Sequence, residues 1–441
     1  MWEVKELFVL SDLHLAAERG TGIFQSDAEL ADCLRWILSE SQESLIVLAG
    51  DTLDFLVSRE GAPKSQLAGL ADRTNAIIEH HHEVFEALSE LAGSSSRHRL
   101  AIMSGDHDSE LVFPAVQETI ERRLGIEFST PTIRWLVQGE VLRLRVGNAV
   151  VLIEHGNVLD PWNRIELASL HNAFSLASRN LSESYEYEPS LGGRLALEVT
   201  AALRPSHRWI DWLKPETETA LPLLWQFGTR VERGLICELA DKYLGMKKVA
   251  SEKKLGNLHR PDTLYRGDKE AEHTKKDEIF KKWFDYVYEQ QQPPLGNGNS
   301  SPELIEKLRS VSAQDNFFAI DQADESVAYL QPVFAAGTDL IIHGHTHAAK
   351  AFTTQGGFYI NTGTWGQLLP LPKSYEDAAT WQNFLEQLRT DDVTSLRRPT
   401  FARVQPLPPD ATKAALLEWQ QSGPKTLTTR RFSGRETGWQ N

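Results

Sequence analysis

The chain has 441 residues, of which 41% are hydrophobic and 24% charged. That is ordinary globular composition, and it excludes a disordered, collagen-like or coiled-coil protein. No apolar run approaches the roughly 18 residues of a membrane span, and 61 acidic against 46 basic residues give a formal charge of -15, so the chain as a whole is no coat for nucleic acid.

At about 100–200 residues per domain, this length calls for two or three domains, or one large domain with an insertion. Two cysteines, Cys33 and Cys237, stand far apart and read as reduced core residues, not as a disulfide framework. The start, Met1-Trp2-Glu3, lacks the basic-then-apolar layout of a signal peptide, so a cytoplasmic protein is expected.

Leu7–Leu10 (LFVL) reads as a buried strand ending in Ser11-Asp12-Leu13-His14. Ser26–Ser39 has apolar residues at helical spacing. Leu45–Ala49 is a second buried strand, ending in Gly50-Asp51. Gln66–Leu91 predicts one long helix, with His80-His81-His82 on its solvated surface. Leu100–Met103 is a third strand, ending in Gly105-Asp106-His107-Asp108, and Asp108–Arg123 again predicts a helix. Continuous apolar strands separated by helices indicate a layered α/β domain.

Three further strands follow at Thr132–Val137, Val141–Val146 and Ala149–Ile153, the last running into Glu154-His155-Gly156-Asn157. From about Asp160 to Asp321 the pattern is mostly helical, clearest at Ala196–Leu203, Leu221–Gly245 and Ala271–Tyr288. There Trp209, Trp212 and Trp225 read as core. Lys247–Lys282 is a basic stretch inside the acidic chain, and Gln291–Ser301 has linker composition. Strands resume at Asp339–His343, followed by Gly344-His345-Thr346-His347, and a hairpin is expected from Ala348–Thr354 and Gly357–Asn361. After Pro370 the expectation is one helix (Tyr375–Arg389), one strand (Thr400–Val404) and a polar tail.

The chemistry gathers at strand ends: Asp12 and His14; Asp51; Asp106 and His107; His155; His345 and His347. Ligands of layered α/β folds bind at such strand mouths. Residues two apart on an extended segment point to one side, so each Asp-x-His or His-x-His pair can chelate an ion. Mixed carboxylate and imidazole donors suit Mn, Fe or Zn better than Ca or Mg. Even seven of these eight donors exceed the need of one ion, which favours a two-metal site clamping a phosphoryl group. His343, one strand position before the last motif, reads as a packing or supporting histidine. Trp162 and Asn163 read as packing or pocket lining.

The ordered set D-x-H, G-D-x-x-D (Gly50–Asp54), G-[ND]-H-D (Gly105–Asp108), H-G (His155-Gly156) and G-H-T-H (Gly344–His347) resembles the calcineurin-like metallophosphoesterase superfamily. The similarity covers about residues 5–160 and 335–366, and Tyr359–Trp365 is similar to a segment that often follows the last motif. The resemblance implies a four-layered α/β/β/α sandwich built from 1–159 and 322–441, with a large, mostly helical lid inserted at 160–321. It also implies roles. Asp12, His14 and His347 would hold one metal, Asp51 would bridge, and Asp106, His155 and His345 would hold the other. His107 would stand beside the substrate phosphate, with Asp108 orienting it. Two divalent ions, Mn²⁺ foremost, with Fe or Zn as alternatives, are the implied cofactors.

The family usually has Asn where this chain has Asp106. The extra charge should bind metal more tightly and repel a dianionic monoester more than a diester. Ser11–Leu15 and Ile342–His347 are most similar to the branch of UDP-2,3-diacylglucosamine pyrophosphohydrolases. That branch commonly has Arg at the position of His107 and a smaller lid, so its lipid substrate is not carried over. Hydrolysis of a phosphodiester or pyrophosphate in a nucleotide or nucleotide-linked small molecule is the first expectation. A DNA or RNA nuclease working with a partner ATPase is the alternative, supported by His107 and the basic stretch 247–282. A non-catalytic scaffold on the same fold is the third.

Overall fold

The computed structural model describes residues 2–17, 22–57, 69–94, 97–126, 133–160, 162–179, 187, 189–229, 231, 233–234, 302–324 and 327–433. Cys237, the basic stretch Lys247–Lys282, the helical reading of Ala271–Tyr288 and the linker Gln291–Ser301 lie outside them. The chain divides into two compact units. The first comprises Met1–Arg194, Asn316–Leu368 and Leu396–Asn441, and the second Leu195–Asp315 and Leu369–Ser395.

The first unit is a mixed α/β body with two large sheets. Its strands are β1 (Trp2–Val4), β2 (Leu7–Leu10), β3 (Ser44–Ala49), β4 (His98–Met103), β5 (Ile133–Leu136), β6 (Leu142–Val146), β7 (Ala149–Ile153), β8 (Leu340–His343), β9 (Ala349–Thr353), β10 (Phe358–Thr362), β11 (Thr400–Leu407), β12 (Ala411–Gln420) and β13 (Gly423–Ser433). One sheet has the order β13-β12-β11-β2-β3-β4-β5, the other β1-β6-β7-β8-β10-β9. β2 to β5 run parallel, whereas β11 to β13 are antiparallel. In the second sheet β8 lies parallel to β7, with Ile342 opposite Ile153, and parallel to β10 on its other side.

Strands β2 and β3 are buried at every residue, as runs without a polar face must be. Their side chains alternate between two cores. Leu7, Val9, Leu45 and Val47 share one cluster with Leu144, Val151, Ile153, Leu340 and Ile342 of the other sheet. Phe8, Leu10, Ile46 and Leu48 share another with apolar residues of α1 (Asp27–Glu40), α2 (Leu70–His80), α3 (His82–Gly93), α4 (Pro114–Arg123) and α5 (Leu167–Ala177). A third cluster joins Leu330 and Phe334 of α6 (Val327–Ala335) to Ile341, Phe352 and Tyr359. Each fully buried Leu or Phe in these clusters contributes about 1.5–3 kcal/mol.

Three expectations change. The long helix over Gln66–Leu91 is two helices that break at His81, whose backbone leaves the helical region (φ -106°, ψ 37°). His81 is no solvated surface residue: it is buried, with Nδ1 2.6 Å from Asp27 Oδ1 and Nε2 2.9 Å from the Ala16 carbonyl. Those two bonds compensate the helical bonds lost at the break. The helix over Asp108–Arg123 is a short 3-10 turn, Ser109–Val112, followed by α4. Pro114 has no amide to donate and holds Phe113 extended (ψ 132°), which separates the two. The polar tail is not a tail: β12 and β13 extend the seven-stranded sheet. Ala414 and Leu416 of β12 enter the core between the sheets, whereas β13, at the edge, is largely exposed and polar.

In the second unit, helices span Glu216–Phe227, Pro302–Gln314 and Ala378–Thr390. Asp377 caps the last, accepting from the Thr380 amide at 2.7 Å. Trp209, wholly buried, donates its indole N–H to the Leu388 carbonyl at 2.8 Å, and Leu213–Lys214 pairs parallel with Leu369–Pro370. Trp212 is buried and Trp225 nearly so. Among the described residues no helix is long and apolar enough to cross a membrane.

Candidate metal centre

Parallel strands present their carboxyl ends at one rim, and the chain must turn sharply there to enter each following helix. At the ends of β2 and β3 the turning segments bond to one another: Asp12 N donates to Gly50 O (3.1 Å), His14 N to Asp51 O (2.8 Å) and Leu15 N to Thr52 O (3.0 Å). Asp12, His14, Asp51, His345 and His347 all hold left-handed backbone, with φ of 52°, 52°, 51°, 71° and 60°. Each such non-glycine residue costs on the order of 1 kcal/mol, and such strain gathers at functional sites.

The structure brings these side chains together in two adjoining groups. Asp12, His14 and His347 form one, and Asp51, Asp106, His155 and His345 the other, with the donor atoms of each group within 4.8 Å of one another; His14 and Asp51, one from each group, also come within 4.8 Å of a His107 nitrogen. Asp51 reaches both: its Oδ2 lies 3.2 Å from His155 Nε2 and 3.7 Å from His14 Nε2. Asp106 Oδ1 lies 3.2 Å from His155 Nε2 and 3.1 Å from His345 Nδ1. Glycines make this approach possible. A Cβ on Gly105 would stand 2.7 Å from both the Asp51 amide and His155 Nε2, and one on Gly344 would collide with Ser11 and Asp12.

The environment assigns ring tautomers. His155 Nδ1 faces the Ala49 carbonyl at 2.9 Å, and His14 Nδ1 faces Asp54 Oδ2 at 3.1 Å. Both acceptors require an N–H, so each ring turns its Nε2 toward the carboxylates. His14 Nε2 and His347 Nε2 then meet at 2.9 Å, a spacing that two ring nitrogens tolerate when a cation or a proton lies between them.

Charge gives the same answer. Burial acts to raise every carboxyl here, and it does raise Asp12. Asp106 and Asp54 are nonetheless held well below the usual range, Asp106 by the His345 charge and Asp54 by the His107 charge, each with its hydrogen bonds. Burial acts to lower the imidazoles, yet Asp54 and Asp51 push His107 well up, and Asp51 does the same for His155. His345, beside Asp106 and Asp160, is pushed up to about 9. So dense a set of buried carboxylates demands positive charge, which divalent cations can supply. The donor set of buried carboxylates and tautomer-fixed imidazoles fits such ions.

His107 stands at the open side of the cluster, with its side chain 25% exposed against 2% to 4% for His14, Asp51, Asp54 and Asp106. Its Nδ1 faces Asp54 Oδ2 at 3.2 Å and its amide donates to Asp51 Oδ1 at 2.9 Å. The carboxylate that orients His107 is therefore Asp54, and not Asp108 as expected. Asp108 turns the other way and accepts from the amides of Gly105 (2.6 Å), Thr52 (2.7 Å) and Leu53 (3.3 Å), which ties two motif loops together. Burial and the Asp51 charge push its carboxyl up to about 7.

Asp54 has a visible signal, its place three after Asp51 in G-D-x-x-D, although spacing alone does not say that it serves two histidines at once. Asn361 is a second supporting residue. Its Nδ2 donates to the Gly344 carbonyl (2.6 Å) and to Thr346 Oγ1 (3.1 Å), fixing the turn that carries His345 and His347. His343 Nε2 meets Glu154 Oε1 at 2.9 Å, joining the ends of the strands that lead into His155 and His345. Trp162 and Asn163 are half-buried, and the Trp162 carbonyl accepts from Gly192 N at 2.7 Å.

No protein-family model matches this chain, and no curated protein does. Solved structures do align with it. A protein of Streptococcus pneumoniae described as a predicted phosphoesterase is 8% identical over 97% of both chains, with a TM-score of 0.27. Vps29 of Entamoeba histolytica with bound zinc is 8% identical over 98% of this chain and 99% of its own, with a TM-score of 0.27. GAP50 of Plasmodium, described as an anchor in the inner membrane complex, is 8% identical over 98% and 89%, with a TM-score of 0.36. All three scores are low, so the functional reading rests on the geometry of the site.

Proposed function

We propose that this chain is a metal-dependent phosphoesterase that hydrolyses a phosphodiester or pyrophosphate bond, most plainly in a nucleotide or nucleotide-linked small molecule. One observation carries the reading: two donor groups adjoin at one strand rim, with Asp51 of one 3.7 Å from His14 of the other, and an oriented, partly exposed histidine stands beside them. Asp12, His14 and His347 would hold one divalent ion and Asp106, His155 and His345 the other, with Asp51 common to both; Mn²⁺ is the first candidate. Such a pair, when bound, supplies Lewis acidity and an activated water for in-line attack at phosphorus.

The chain's own residues do the rest. Asp54 accepts from His107 Nδ1 and so leaves Nε2, 4.0 Å from Asp106 Oδ2, as the nitrogen that can donate a proton to the leaving oxygen beside the donor groups. Asp54, hydrogen-bonded to His107 Nδ1, favours the charged form of the ring. Asp108 keeps the loops of Thr52 and Gly105 in register, which fixes Asp51 and Asp106 relative to each other. In this reading the first unit is the four-layered α/β/β/α sandwich, supported by the three clusters that join helices to sheet, sheet to sheet, and sheet to helix. Residues 160–321 are then an insertion between the fourth and fifth motifs. A cytoplasmic location goes with the proposal.

The test is hydrolysis of bis(p-nitrophenyl) phosphate with added Mn²⁺, with Asp51→Asn as control. Turnover by wild type and only metal-free background in the variant is the expected result. Equal rates in the two proteins would overturn the assignment. A steep salt dependence of single-stranded DNA binding would favour the nuclease reading instead.

A further inference from the structure

Asp160 belongs to none of the strand-end motifs. It follows His155 by five residues and opens the segment that leaves the sheet. Its Oδ1 accepts from the Trp162 amide at 2.9 Å, and its Oδ2 accepts from Asn163 Nδ2 at 3.1 Å. Its own carbonyl accepts from the amides of Asn163 (3.1 Å) and Arg164 (2.9 Å). The carboxylate is therefore held by the turn it sits in. The same Oδ2 lies 3.4 Å from Nε2 of His345, across 185 residues of chain. The other ring nitrogen, Nδ1, lies 3.1 Å from Asp106 Oδ1, inside the second donor group.

We infer that Asp160 is a positioning residue for His345, holding its Nε2–H so that Nδ1 is the nitrogen presented to the metal group. A carboxylate only accepts, so the Nε2 facing Asp160 carries a hydrogen; Nδ1 also faces a carboxylate, Asp106, and is the nitrogen that would give up its hydrogen to a cation bound in that group. Asp54 does this for His14 and the Ala49 carbonyl for His155, in both cases freeing Nε2. Asp160 does it for His345 with the ring reversed, freeing Nδ1. The inference rests on the metal reading proposed above.

The experiment is titration of Mn²⁺ into the metal-free full-length protein, counting equivalents and affinities by calorimetry, with thermal melts alongside. Asp160→Asn keeps an oxygen for the Trp162 amide but removes the charge. It is expected to weaken one of the two ions by about 10–100-fold and to leave the other unchanged. Asp160→Glu should restore most of the loss. In a His345→Ala background, Asp160→Asn should have no further effect, since the two residues act as one unit. Equal wild-type and Asp160→Asn affinities at both ions would overturn the inference while the metal reading stands. An equal loss with and without His345 would also overturn it, assigning Asp160 to the turn alone. If wild type takes up no metal, the metal reading itself falls, and the inference with it.

Discussion

The seven-stranded sheet has two halves made of similar material and put to different use. β2 to β5 run parallel, and their carboxyl ends carry Asp12, Asp51 and Asp106 to one rim. β11 to β13 run antiparallel and contribute no residue to either donor group, although β11 and β12 are as thoroughly buried where they face the other sheet. The difference is one of direction. Parallel strands send every chain end to the same side, where helix dipoles and turning loops collect, so a rim of donors can form. Hairpins return the chain at alternating ends and scatter such residues. Function should therefore be separable from stability along the length of a single sheet.

The sharpest way to break that separation is at the rim. His107→Ala should lower kcat by about 10²–10⁴-fold while leaving Mn²⁺ uptake and melting temperature near wild type; a large loss of bound metal would show that His107 is a ligand instead. In the antiparallel half, Leu416→Ala removes a wholly buried side chain and should cost about 2–5 kcal/mol in urea unfolding. Its metal stoichiometry should stay unchanged, and a variant that folds but binds less metal would mean that the halves are coupled.

Asp54→Asn acts on two histidines through one oxygen, so it should reduce both metal affinity and kcat, each by about 10–100-fold. Loss of only one of these would separate the two bonds. The smallest effect lies at the opposite end of the parallel strands. There His98 Nδ1 meets Ser44 Oγ at 2.9 Å, and burial, with the Arg97 charge, lowers the ring's pKa below its ordinary value of 6.5. The unfolded chain then takes up the proton first as pH falls. Stability should decline as pH drops below about 6.5 and level off below the folded pKa, as urea melts at pH 5 and pH 7 would show. His98→Gln should flatten this slope without altering metal uptake.

Much of this was legible from residue order. The donors at the ends of β2, β3 and β4 could be read because a buried parallel strand is a continuous apolar run, and the Asp or His that ends it stands out against that run. His345 and His347 stood out in the same way after Leu340–His343. The partners of the donors were not legible. That Asp54 and not Asp108 meets His107 depends on how the loop after β3 folds against the loop after β4, 53 residues further along the chain. That Asp160 meets His345 depends on a chain crossing of 185 residues. His81 looked like part of a polar helix face because its two acceptors, Asp27 and the Ala16 carbonyl, lie more than fifty residues upstream. β13 was missed because an edge strand exposed on one side has a polar pattern that local composition does not distinguish from a tail.

The pairing of β7 with β8 has a consequence for how the chain can change in length. These neighbours in the middle of one sheet are separated in sequence by everything from Glu154 to Asp339, and Ile153 still faces Ile342. Bringing two ends of a long loop together costs free energy that rises only logarithmically, by about 0.6 kcal/mol per doubling of its length. Halving or doubling the intervening sequence would thus alter the cost of joining β7 to β8 by less than the loss of one buried methyl group. Between Arg194 and Asn316, the stretch outside the first unit, material can be gained, lost or exchanged over a wide range of sizes at little cost to the joining of β7 to β8.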